Sequence, residues 1–195
     1  MRIELGMAAC AFVAAAAGCG ERPAAGVVEA RVRAAALAAR PDVIEPRDGS
    51  VSVVSVQVGR FERSAGGSGA LASEWTARVR FEEPFAAVVM VINGTTVTRT
   101  IVRAGEEWDL SGKAVAGRRD DGSWDVSASC DDAAWDALAA RLGTLSAGYR
   151  VIANGRVENA FRSGAALRPL TSLAPCVEEG TEEMKRIAGA AEADR

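Results

Sequence analysis

The stretch that most constrains the fold is Leu71 to Glu82. Trp75, Ala77, Val79 and Phe81 alternate there with Thr76, Arg78, Arg80 and Glu82. A period of two puts the apolar set on one face of a strand and the polar set on the other. The stretch therefore demands a sheet with one packed face and one wet face, the usual condition of antiparallel sheets. Pro84 closes the run, because proline has no N–H to give to a ladder.

The neighbouring segments supply further strands. Val51 to Arg63 is rich in valine, and the adjacent Val53 and Val54 break strict alternation, which predicts a kink. Val88 to Ile92 and Thr95 to Val102 flank Asn93-Gly94. That dipeptide between β-rich runs predicts a hairpin, since a type I′ turn needs positive φ at both central residues. Trp108 to Gly117 and Ser123 to Ser129 predict another hairpin across Arg118–Gly122, and Tyr149 to Phe161 a weaker one about Asn154-Gly155. Leu167 to Pro175 reads as irregular, with Pro169 and Pro175.

Three segments carry helical periodicity. Val27 to Arg40 has a stripe of Val28, Val32, Ala35 and Ala36, an i,i+4 pair in Glu29 and Arg33, and a stop at Pro41. A second helix runs from Asp131 or Asp132 to Leu142, with Trp135, Leu138, Ala139 and Leu142 on its apolar side, Arg141 in its last turn and Gly143 beyond. The last spans Thr181 to Ala191 behind Cys176, capped by Thr181. The expected class is α+β: one antiparallel sheet of about six strands, built as a hairpin meander, with N-terminal and C-terminal helices packed on it. In outline this is similar to cystatin-like and NTF2-like architectures.

Composition excludes several functions. The 195 residues carry a net charge of −3 and no polybasic run, so nothing marks a nucleic-acid partner. Histidine is absent, which removes Ser-His-Asp and Cys-His catalysis and histidine metal sites. No catalytic set, metal-ligand spacing or cofactor motif emerges, and Asp120-Asp121-Gly122-Ser123 reads as a hairpin turn because the remaining ligands of a calcium loop are missing.

The first residues set the compartment. Arg2 precedes an apolar run from Leu5 to Ala17, about thirteen residues, which suits a signal peptide and is too short to span a bilayer. The run ends in Ala16-Ala17-Gly18-Cys19, and small residues before a cysteine resemble the lipobox of bacterial lipoproteins. The resemblance implies cleavage before Cys19, acylation of its thiol and amine, and a membrane partner held through that anchor. It also implies the outer membrane where two membranes exist, because Gly20 is not aspartate. Ala16 stands where that family prefers leucine, so cleavage after Ala17 and secretion as a soluble protein is the alternative. The layout is a signal peptide at 1–18, the lipidated cysteine and tether at 19–26, and one α+β domain at 27–195. Seven extended tether residues, Gly20 to Gly26, would reach about 25 Å.

Of the four cysteines, Cys10 leaves with the signal. If Cys19 is acylated, Cys130 and Cys176 remain as an even pair, and a disulfide between them would close a loop of about 47 residues, contributing roughly 4 kcal/mol in the loop-entropy model. Trp75 and Trp108 are candidates for a ligand pocket, with core filling as the plainer role. Acidic doublets recur at Glu82-Glu83, Glu106-Glu107, Asp120-Asp121, Asp131-Asp132, Glu178-Glu179 and Glu182-Glu183, where strand ends, turns and helix starts already favour carboxylates. The expected function is a non-catalytic envelope lipoprotein, a binding or assembly module for an envelope protein. The alternatives are a pocket protein for a small or lipid-like ligand and a carboxylate-based glycan hydrolase.

Overall fold

The computed structural model describes residues 22–38, 43–64, 69–143, 145, 148–154, 156–161 and 166–193. The expected signal segment, Cys19, Gly20 and Glu21 lie outside the described residues, as do Pro41, Gly155 and the last two residues. Among the described residues the fold is mixed α and β, with three α-helices and mostly antiparallel strands in two sheets. The helices are α1 (Ala25–Leu37), α2 (Ala133–Leu142) and α3 (Glu182–Ala193).

The first sheet holds β1 (Val51–Val58), β2 (Glu62–Arg63), β3 (Leu71–Phe81), β6 (Glu107–Arg118) and β7 (Trp124–Cys130), in the order β1-β3-β6-β7 with β2 also on β3. The second holds β4 (Phe85–Ile92), β5 (Thr95–Val102), β8 (Tyr149–Ala153), β9 (Arg156–Phe161), β10 (Arg168–Pro169) and β11 (Cys176–Glu178), in the order β11-β5-β4-β8-β9 with β10 also on β4.

The single meander is thus corrected to two sheets. After β3 the chain leaves the first sheet, makes the β4–β5 hairpin in the second, and returns as β6 directly beside β3, antiparallel from Leu71↔Ala116 to Arg80↔Glu107. The reason lies in β4, whose Phe-Ala-Ala-Val-Val-Met-Val-Ile has no polar face. A continuous apolar strand needs cover on both sides, which a sheet with one wet face does not give. The second sheet also contains parallel pairs, β4 with β8 and β5 with β11, absent from any meander.

Other expectations hold. Val53 and Ser55 flank a register shift in β1, and Val54 is exposed there. Asn93 and Gly94 have φ of 47° and 80°, as a type I′ turn requires. On α1 the buried residues are Val28, Val32, Ala35 and Ala36, and Arg33 bonds Glu29 at 2.8 Å. On α2 they are Trp135, Leu138 and Leu142, and Thr181 Oγ1 accepts the Met184 N–H at the start of α3.

The helices divide between the sheets. The larger core joins α1 and α2 to Trp75, Ala77, Val79, Phe81, Leu110 and Ala114 of the first sheet, and Phe85, Ala87 and Val102 of the second close it. A smaller cluster places Met184, Ile187 and Ala188 of α3 on Met90, Ile92, Val97 and Ile152. The N-terminal helix therefore packs on one sheet and the C-terminal helix on the other. The opposite face of the first sheet is wet and carries cross-strand ion pairs, Arg78–Asp109 and Arg80–Glu107.

Candidate functional site

The lipobox-like residues Ala16 to Cys19 lie outside the described residues, but the chain from Arg22 onward does not. Pro23 is already buried, and α1 begins at Ala25 rather than Val27. The expected tether is shorter than seven residues, because Arg22 and Pro23 belong to the folded body. Arg22, Pro23, Ala25 and Val28 line an open, mainly apolar depression of about 260 Å³ with Val56, Val58, Arg60 and Phe61.

Trp75 and Trp108 both rise from the inner face of the first sheet, Trp75 opposite Gly112 and Trp108 opposite Val79, with the Ala77–Leu110 pair between them. Trp75 is 1% exposed and fills the core, its indole N–H without a partner. Its ring fits only because residue 112 has no side chain: a Cβ there would lie 2.5 Å from the indole and 2.0 Å from the Ser129 carbonyl oxygen.

Trp108 is half-buried and engaged. Its Nε1–H donates to Glu106 Oε1 at 2.8 Å, its ring meets Phe81 edge-on at 6.3 Å, and the Arg141 guanidinium sits 4.6 Å from the ring centroid. Arg141 also donates to Glu106 Oε1 at 2.6 Å, and Glu106 Oε2 accepts the Arg103 N–H. This three-residue node ties α2 to the start of β6. The separation of 35 residues between Glu106 and Arg141 left no local signal for it, and by sequence Arg141 served only the helix dipole.

Burial acts to raise the Glu106 carboxyl, but the bonds from Trp108, Arg103 and Arg141 outweigh it and hold the group below its ordinary range. A depressed carboxylate stabilises the fold above its unfolded-state pKa and loses that contribution as pH falls through the folded value. Glu106→Ala should therefore cost about 1 kcal/mol at pH 7, since it removes the acceptor of three hydrogen bonds while the half-exposed Arg141 guanidinium regains water. The difference from wild type in urea midpoints should shrink steadily as the pH is lowered below about 4.

The two cysteines require a second correction. Cys130 ends β7 in the first sheet, Cys176 opens β11 at an edge of the second, and both are free. The expected pairing rested on the even count of cysteines, and the two residues belong to different sheets. Burial pushes the Cys130 thiol up, and Asp131 and Asp132 act in the same direction, which disfavours a thiolate nucleophile. Alkylation in denaturant without reductant should label both cysteines, and reductant should leave the melting temperature unchanged.

The acidic doublets are split or paired. Glu106 turns to the node while Glu107 bonds Arg80 on the wet face. Glu82 accepts from Ser52, Glu83 from Thr171, Asp121 from Ser123 and Asp131 from Ser111. Glu179 pairs with Arg99, Glu182 with Lys185 and Glu183 with Arg186. Hydrogen bonds from Arg78, Ser123 and Arg186 hold Asp109, Asp121 and Glu183 low as well, the reverse of what a general acid needs.

No family model, curated protein or solved structure matches this chain. The functional argument therefore rests on its own residues. Among the described residues no group of three or more Cys, Asp or Glu is placed to hold a metal, and no helix is long and apolar enough to cross a membrane.

Proposed function

We propose that this protein is a lipid-anchored envelope module without catalytic activity, acylated at Cys19 and binding or assembling with an envelope protein at the membrane surface. The observation that carries this reading is the apolar run ending in Ala16-Ala17-Gly18-Cys19, followed after only three residues by a buried Pro23 and the first helix. A signal that delivers a folded body almost directly onto a cysteine is what an anchor needs. The division of carboxylates between ion pairs and structural bonds supports a non-catalytic role. The inner face of the first sheet is filled by Trp75, Leu110 and the helices, which leaves the pocket alternative without a supporting observation.

Growth with a clickable fatty acid tests the proposal. The wild-type protein should take up label and sediment with membranes, whereas Cys19→Ala should carry no label. An unlabelled wild type in the soluble fraction would overturn the anchor.

A further inference from the structure

Four cations from distant parts of the sequence meet at one end of the first sheet. Arg60 is shared by two neighbouring depressions. One is the apolar hollow formed by Arg22, Val56, Val58 and Phe61, and the other, about 460 Å³, is lined by Arg63, Glu62, Glu74 and Lys113. Arg22, Arg60, Arg63 and Lys113 make no ion pair among the described residues, and Glu29, the carboxylate of the first hollow, is engaged by Arg33. Two carboxylates, Glu62 and Glu74, thus face four cations, a local positive excess on a chain whose net charge is −3. The half-buried Val56, Val58 and Phe61 lie between the arginines, giving an apolar patch rimmed by guanidinium groups.

The chain's own length decides what this end faces. From Cys19 to Arg22 a fully extended backbone reaches only about 11 Å. This rests on the proposed acylation of Cys19, which puts that residue at the bilayer interface. Arg22 is thereby held within roughly a nanometre of the lipid headgroups, about one Debye length at 0.1 M salt, and it shares its hollow with Arg60 and Phe61. We infer that this basic, apolar-centred end is a docking surface for the anionic phospholipid headgroups of the membrane that holds the anchor. The guanidinium groups suit phosphate oxygens, and Val58 and Phe61 suit the boundary between headgroup and acyl chain. The contact fixes the orientation of the domain, turning the α1 N-terminus and the β1–β2 corner to the lipid.

Hydrogen exchange on the acylated full-length protein tests this, with vesicles of phosphatidylcholine alone and of phosphatidylcholine with phosphatidylglycerol. Amides of 56–63 should exchange at least about threefold more slowly on the anionic vesicles, and 0.5 M salt should abolish the difference. Arg60→Ser with Arg63→Ser should lose the slowing while the protein still floats with the vesicles. Flotation without any lipid-dependent slowing at 56–63 would overturn the docking surface and leave the anchor standing. Failure to float would overturn both. Slowing that appears in detergent and grows with protein concentration would assign this face to a second copy and overturn the proposal.

Discussion

Gly112→Ala is expected to destabilise the protein by about 3 kcal/mol or more, near the upper end of overpacking costs. The backbone of Gly112 is not strained, so the effect is one of space. The new methyl would meet the Ser129 carbonyl oxygen at 2.0 Å and the Trp75 ring at 2.5 Å. An oxygen of the neighbouring β7 backbone cannot swing aside as a side chain can. Relief requires β6 and β7 to separate around the Gly112↔Cys130 pair, next to the bond from the Asp131 N–H to the Ser111 carbonyl that leads into α2. Trimming Trp75 to phenylalanine in the same chain should not rescue the variant, because the closest obstacle is backbone. Gly117→Ala, further along β6 with open space around it, should change stability by no more than about 0.5 kcal/mol. Urea unfolding of the three variants separates these expectations, and a mild Gly112→Ala would show that β7 does not pack as described.

Trp75→Ala should cost about 4 kcal/mol, since a large side chain at 1% exposure leaves a void under α1. Trp75→Phe is the informative comparison. The indole N–H has no acceptor, and a buried donor left unpaired carries a desolvation cost of about 1–3 kcal/mol. Phenylalanine removes that donor while leaving a smaller void, so the two effects largely offset and the net change should stay within about 1.5 kcal/mol. A Phe variant as damaged as the Ala variant would mean that the N–H is bonded in solution, to a water for instance.

Individual strands, hairpins and helices were legible because their signals are local. The alternation around Trp75, the Asn93-Gly94 turn and the α1 stripe each need only a few residues to declare themselves, and each appears as read. The partition into two sheets was less accessible. It depends on β4 lacking a polar face, and a short apolar run resembles any other until its neighbours are known. The cysteine pair was read from the even count alone, and with both thiols free that count no longer supports withdrawing Cys19 from it. The anchor now rests on the lipobox itself and on the closeness of Cys19 to the folded body. Long-range constellations were invisible for a simpler reason. Glu106 and Arg141, or Arg22, Arg60, Arg63 and Lys113, are ordinary surface residues in sequence, and only the packing of α1 and α2 and the return of β6 beside β3 bring them to their partners.

Membrane attachment through Cys19 is the claim on which the functional reading depends, and mass spectrometry of the mature N-terminal peptide tests it most directly. The account predicts that the first residue of the protein isolated from membranes is Cys19 and that its mass is raised by a diacylglyceryl group, with or without a further acyl chain. A mature chain that begins at Gly18 with an unmodified Cys19, recovered in soluble form, would contradict it.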